Sequence, residues 1–422
     1  MIAREKKKSI HALEASNFFL ADVQTGLGPF LAAYLAGAGW GAGRVGIALT
    51  VGGIITVVLQ TPAGAIVDQM RSKRLILILG CAVLAAGAVL LSFTSAPWAV
   101  YTSQVLIGGA GPFLAPTLAA ITMGIVGVGL FDRQFGKNQS FNSAGNVATA
   151  VLIAGVSYLS GNRAIFITAA VLTIPTVLAV LAIQSSAIDY ELARGGAKEV
   201  DGQELPAKVS AIKTLLGDRV LLMFLLCAFF FHFANAAMLP QLGEMLSHGA
   251  RKSAAPFMSA CIVVTQVVIM CCAPAIGRYA NLHGRKPLLL VGFGVLPIRA
   301  VLYTLTHNPG MLIAIQLFDG VANAIFVVVA ILVVADRTRG TGRFNLVQGS
   351  LATSVGLGAA LSTSFGGKLI QQYSYRASFL SLGAIAALAF TLLWFAIPET
   401  LVRSNNQDQN TPATPSPQQV NA

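Results

Sequence analysis

Four ionisable side chains, Asp22, His232, Arg299 and Asp319, sit inside long apolar runs of this 422-residue chain. A charge at the centre of a bilayer costs about 3 kcal/mol or more, so each of these groups needs a partner or a task. Asp22 falls about twelve residues into the first run, near mid-depth at roughly 1.5 Å per residue. A carboxylate there can take up and release a proton or a cation; the plain alternative is a structural hydrogen bond to a neighbouring span. His232 can titrate near neutral pH, donate to a solute, or rest as a buried neutral imidazole. Gln24, Gln104 and Asn235 supply uncharged contacts beside them. Arg299 and Asp319 each lie about 12–14 Å from the turn at His307–Gly310. An intramembrane ion pair between them is expected, because either charge alone is costly. Gln316, Asp319 and Asn323 fall at i, i+3 and i+7, one polar helix face that should look into a bundle.

The elements that hold these residues are membrane spans. The chain is 55% hydrophobic and 10% charged, with mean hydropathy +0.73. Such a composition, with repeated runs of about 20 apolar residues, places it in the membrane class. The net charge of +12 sits in short segments between the runs, so orientation in a membrane explains it better than nucleic acid. Cys81, Cys227, Cys261, Cys271 and Cys272 lie in apolar runs without metal or redox spacing. There is no HExxH and no phosphate-binding GxxxxGK[ST] in the sequence. A metal site, a cofactor, an enzymatic activity and ATP drive are therefore not expected. The first run, about Ile10 to Leu35, is too long for a cleaved leader and is expected to be retained.

Two stretches repeat. Gly64–Arg74 reads GAIVDQMRSKR, a polar loop with Gly64, Asp68, Arg71 and Arg74. Gly277–Lys286 reads GRYANLHGRK, with Asn281 in the acidic place, then Arg285 and Lys286. The two glycines are 213 positions apart, about half the chain, and Gln104 and Gln316 repeat at an offset of 212, each with a glycine four places on. Asp132-Arg133 and Asp336-Arg337 repeat at 204. The pattern predicts a duplicated unit: residues 1–184 as a six-span half, 185–217 as a polar linker, 218–400 as a second six-span half, and 401–422 as a disordered tail. The first-half polar segment Phe131–Asn138 is taken as a connection, and spans 5 and 7 as about 139–159 and 219–241.

Both repeated stretches resemble the loops after helices 2 and 8 of the major facilitator superfamily. The second copy is the fuller match, since Arg71-Ser72 stands where the family usually has Gly-Arg. The resemblance covers about residues 10–400. It implies an all-α membrane protein of twelve transmembrane helices in two pseudo-symmetric six-helix halves, working by alternating access around a midplane site. It also implies a cytoplasmic gate in which Asp68 pairs with arginine and with a helix end of the other half. Gly64 and Gly277 would allow close helix approach, and Asn281 would make the second latch weaker. The bland alternative is that these charges only set orientation. Drug–proton antiporters of the family usually carry arginine where this chain has Gln104, and a Gly-Pro motif that is missing from span 5.

Six of the 28 Lys and Arg, namely Arg44, Arg163, Arg251, Lys252, Lys368 and Arg376, fall on one set of turns; Arg299 is in a span, and the other 21 lie on the opposite set. That bias puts both termini in the cytoplasm of a bacterial inner membrane. The expected activity is secondary active transport of a small solute, coupled to protons, by a monomer embedded in lipid. An efflux antiporter, a channel and a transport-like sensor are the alternatives.

Overall fold

The computed structural model describes residues 2–25, 31, 34, 35, 38–40, 42–160, 163–196, 217–247 and 254–401. The helices are α1 (Ile2–Thr25), α2 (Ala42–Gln69), α3 (Lys73–Phe93), α4 (Pro97–Val126), α5 (Val128–Ser160) and α6 (Arg163–Ala182). The second half holds α7 (Arg219–Asn235), α8 (Met238–Ser247), α9 (Ala254–His283), α10 (Lys286–Tyr303), α11 (Pro309–Arg337), α12 (Phe344–Gln372) and α13 (Tyr375–Ala396). The result is an all-helical membrane fold of twelve spans in two six-helix halves, with α7 and α8 forming one interrupted span.

Helix starts follow from local chemistry. Asp218 caps α7 through Val220 N at 3.0 Å and Leu221 N at 3.2 Å. Asn308 caps α11 with Pro309 in its first turn, and Ser374 caps α13. Gly127, at φ 74°, turns the chain directly from α4 into α5.

Three expectations about element boundaries are corrected. Phe131–Asn138 is no connection but the first turns of α5. Asp132 and Asn138 turn inward and are buried, while Arg133 and Lys137 stay exposed. Both repeated stretches are mostly helical: Gly64–Gln69 ends α2 and Gly277–His283 ends α9. Span 7 breaks at Ala236–Ala237, three residues before Pro240, which has no N–H to continue the ladder.

Among the described residues, nine helices are long and apolar enough to cross a membrane. The helices α1, α5 and α12 are not among them. Those three carry Glu14 and Asn17, Asp132 to Asn146, and Asn345 to Thr363. A helix that faces an internal cavity instead of lipid can be polar along that face. Within the first half α1 packs on α5 and α6, and α4 on α2 and α3; within the second, α9 packs on α11, and α7 on α12 and α13. Two extensive seams join the halves, α2 against α12 and α5 against α9. Short turns at Ser185–Ala187 and Leu192–Arg194 pass beneath the bundle, tied by Asp189 N to Gly124 O at 3.0 Å and by Gly340 N to Gly195 O at 2.6 Å.

Candidate functional site

The seams are antiparallel and begin at the repeated stretches. On the first, Asp68 Oδ1 accepts from Asn345 N at 3.0 Å and Asn345 Nδ2 at 2.8 Å, and Oδ2 accepts from Leu346 N at 2.8 Å. These N–H groups belong to the first turn of α12, whose own N-cap, Arg343, makes no side-chain cap bond. Asp68 therefore caps a helix of the opposite half and places its charge at the positive end of that helix. Four residues back, a Cβ at Gly64 would collide with the Asn345 carbonyl, and one at Gly349 with the Gln60 carbonyl. Further along, Thr61 Oγ1 meets Thr353 Oγ1 at 3.0 Å.

The second seam repeats the plan with different chemistry. A Cβ at Gly277 would collide with the Asp132 carbonyl, and Ser140 Oγ donates to Met270 O at 2.6 Å. The charge is carried by Arg285, which is 3% exposed. Its Nη1 lies 2.6 Å from Asp132 Oδ2 of the other half, and its Nε lies 2.9 Å from Asp336 Oδ2. Burial opposes the Arg285 charge, but the two carboxylates outweigh it and raise the guanidinium pKa. Glu399 closes this end: its carboxylate accepts from Arg285 N at 2.8 Å and Lys286 N at 3.1 Å, at the start of α10. Burial pushes the Glu399 carboxyl up, yet the backbone N–H groups of Arg285, Leu401, Lys286 and Thr400 prevail and hold it below the usual range.

Of the expected gate residues, Gly64, Asp68, Gly277 and Arg285 lie on the seams. Arg74 instead binds its own half, through Ser185 Oγ at 2.7 Å and Leu181 O at 3.0 Å. Arg71 and Asn281 are exposed, and Lys286 Nζ donates to Trp394 O at 2.8 Å. A weaker second latch was expected from Asn281. The structure instead brings Asp132 and Asp336 to Arg285. The Asp-Arg repeat marked both aspartates in the sequence, but a one-dimensional offset does not show that they converge on one guanidinium.

Directly above the seams lies a cavity of about 510 Å³ lined by both halves. Its polar wall includes Asn17 on α1, Gln60 on α2, Asn138 and Asn142 on α5, and Gln348 on α12; Phe135, Phe326 and Leu351 line it with apolar surface. Gln348 is one turn above Asn345, so the latch forms the cavity floor. Behind its wall, Asn138 Nδ2 donates to Thr122 Oγ1 at 2.9 Å, and Gln134 Nε2 bridges Asn138 Oδ1 at 3.0 Å and Glu14 Oε1 at 3.1 Å. Lys137 Nζ also meets Glu14, at 2.7 Å.

Six of the eight residues expected in a cavity have described side chains. None of Gln104, His232, Asn235, Gln316, Asp319 and Asn323 lines this one. Gln104 is wedged against Gly52 where α4 crosses α2. His232 packs on Phe326, ring centroids 4.6 Å apart, with Nδ1 3.2 Å from Ala228 O. The side chains of Asp22 and Gln24 lie outside the described residues.

The remainder form a buried network in the second half. Arg299 pairs with Asp319 and donates to Asn235 Oδ1 at 2.6 Å. Asp319 Oδ2 accepts from Gln316 Nε2 at 2.9 Å and Thr265 Oγ1 at 3.1 Å, and Tyr303 OH donates to Gln316 Oε1 at 2.5 Å. Asn323 Nδ2 donates to Asp319 O at 3.0 Å. Gln316 and Asp319 thus look inward and are bound by neighbouring helices, whereas Asn323 bonds back to α11 itself.

Comparison with known proteins agrees with this architecture. The family model described as Major Facilitator Superfamily matches residues 15–296 and 265–420. The chain is 41% identical over 391 residues to an uncharacterized MFS-type transporter of Mycobacterium tuberculosis, covering 92% of this chain and 93% of that protein. Among solved structures, the proton:xylose symporter XylE superposes with a TM-score of 0.72 at 14% identity, over 95% of this chain and 97% of that one. The human organic anion transporter MFSD10 does so with a TM-score of 0.71 at 15% identity, over 92% and 99%. FucP in its outward conformation has a TM-score of 0.70 at 14% identity, over 92% and 98%.

Proposed function

The chain belongs to the major facilitator superfamily, whose members are transporters and not enzymes, and from that premise we propose a secondary active carrier of a small solute that works by alternating access. The observation that carries this reading is the pair of seams closing one end of a cavity shared by both halves. Each seam is built for reversible contact. Its bonds run between the halves, its carbonyls meet glycines, and its charges can be hydrated on separation. Opening both seams would expose the cavity floor to the side that bears the repeated stretches. The distribution of Lys and Arg supports reading that side as the cytoplasmic one of a bacterial plasma membrane, with both termini and the 185–217 linker there. The carrier acts as a monomer, each six-helix half being one rocking unit.

Coupling to protons is part of the proposal. It is supported by the proton symport named for XylE, and by the carboxylates inside the bundle. Asp22 is the first coupling site to test: it lies five residues, about 7.5 Å, beyond the cavity-lining Asn17 on α1. Asp319, held by Arg299, and Glu14, joined through Gln134 to the cavity wall, come next, and His232 follows them. Gln24, Gln104, Asn235, Gln316 and Asn323 are proposed as supports of these groups. The test is a reconstituted vesicle with a pH-sensitive dye inside, an imposed proton gradient and a panel of added solutes. Solute-triggered proton flux that Asp22→Asn abolishes and a change at the exposed Thr391, Thr391→Ala, leaves intact is the expected result. Solute movement without proton flux would remove the coupling, and no movement of any solute would remove the transport reading.

A further inference from the structure

The cavity has a chemical signature of its own. Among its described lining residues there is no Asp, Glu, Lys, Arg or His. Its polar atoms belong to side-chain amides and hydroxyls, set between apolar rings and branched chains. An ion entering such a cavity gives up its hydration and finds no counter-charge, a loss of several kcal/mol. A neutral solute with hydroxyl or N–H groups exchanges water for amide oxygens at little cost.

Two of these amides stand on opposite sides of the seam. Gln60 is on α2 and Gln348 on α12, and Gln348 is only 6% exposed. The side-chain oxygens of both, Gln60 Oε1 and Gln348 Oε1, are buried without a hydrogen-bond partner among the described residues. A buried acceptor without a donor is destabilising. What each lacks is a donor; both residues line the cavity, so a turn of each amide brings its oxygen to a donor-bearing molecule there.

We propose that the cavity is a binding site for a neutral solute that carries at least two hydrogen-bond donors beside an apolar face, bridged between Gln60 of one half and Gln348 of the other. The volume of about 510 Å³ suits a molecule of ordinary metabolite or drug size. Bridging links recognition to the seam, because α2 and α12 are the helices that part when Asp68 releases Asn345. This deepens the transport reading and rests on it, since the same cavity is taken as the transport site.

Three matched probes test the charge preference: phenyl β-D-glucoside, phenyl β-D-glucuronide and the phenyl glycoside of D-glucosamine. They share an apolar ring and differ in carrying a neutral, an anionic or a cationic head. Binding to the purified protein is measured by ligand-induced thermal stabilisation, and transport by counterflow in vesicles. The neutral probe is expected to bind at least about tenfold more tightly than either ion, and Gln60→Leu or Gln348→Leu to weaken it by about five- to tenfold. Gln348→Glu, which changes no volume, is expected to turn the preference toward the amine. Tighter binding of a charged probe, binding that both leucine variants leave unchanged, or no stabilisation by any of the three overturns the proposal. Binding without counterflow would leave the site standing and overturn the transport reading; counterflow of the anion would do the reverse.

Discussion

Replacing Asp68 with asparagine tests the latch with almost no change in shape. The carboxylate accepts three hydrogen bonds of 2.8–3.0 Å across the seam, two of them from the backbone of Asn345 and Leu346. Asparagine keeps one oxygen for Asn345, but its NH2 then faces the Leu346 N–H, donor against donor. One charge-assisted bond to the backbone is lost, worth about 1.5–3 kcal/mol. The interaction with the positive end of α12 adds roughly 0.3–1 kcal/mol. In the open state residue 68 is hydrated with either side chain, so the loss falls on the closed state alone. A total of about 2–4 kcal/mol multiplies the open fraction by about 30- to 800-fold. Opening can be read from the labelling rate of a single cysteine at Ala352, which lines the cavity. The reagent is a membrane-impermeant maleimide applied from the cytoplasmic side, in a background where the five native cysteines are replaced. When opening is rapid and rare, the rate scales with the open fraction. Labelling that rises less than about threefold in folded Asp68→Asn protein would refute the assignment of Asp68 as a latch between the halves.

The second seam should respond unequally to its partners. Arg285→Met leaves Asp132 and Asp336 buried together without a cation, so thermal stability in detergent should fall by about 3–5 kcal/mol, whereas Asp132→Asn should cost less. The pair inside the second half behaves alike: Asp319→Asn strands the Arg299 charge and should lower stability by about 3–5 kcal/mol, while Arg299→Leu with Asp319→Leu should recover much of the loss. Gly64→Ala should raise the same Ala352 labelling rate as Asp68→Asn, since its methyl group drives the Asn345 carbonyl away. Glu399 gives a pH dependence. Its folded pKa is depressed below the ordinary 4.5, so its hold on the start of α10 is fully present above that value and is lost as pH falls through the lower folded value. The protection of the Arg285 and Lys286 amides against hydrogen exchange, taken relative to their intrinsic rates, should therefore stay high at pH 5–8 and fall under stronger acid; Glu399→Gln should lower it across the whole range.

The sequence carried the architecture because bilayer length and the 213-residue offset act over many residues at once. Twelve spans, two halves and the role of Arg299 beside Asp319 all follow from patterns of this kind. Helix ends were harder to read. Phe131–Asn138 is polar enough to pass for a loop, yet contact with α9 buries Asp132 and sustains the helix. Tertiary packing overrode local hydropathy there. The cavity wall was least legible. Ionisable residues in spans drew attention to Gln316, Asp319 and Asn323, but Thr265, Tyr303 and Arg299 satisfy that face internally. Gln60 and Gln348 drew none, because a lone amide in a span has no spacing that separates a solute contact from a helix-packing contact. Only the three-dimensional convergence of α1, α2 and α12 distinguishes them.

The central claim is that the α2–α12 seam opens and closes during transport, and a reversible lock across it is the most direct test. Thr61 and Thr353 face each other, Oγ1 to Oγ1, at 3.0 Å. With both replaced by cysteine in the cysteine-free background, oxidation should join the halves at this point. Solute counterflow in vesicles should then stop, and return when the disulfide is reduced. Full counterflow through the oxidised, cross-linked protein would contradict the account.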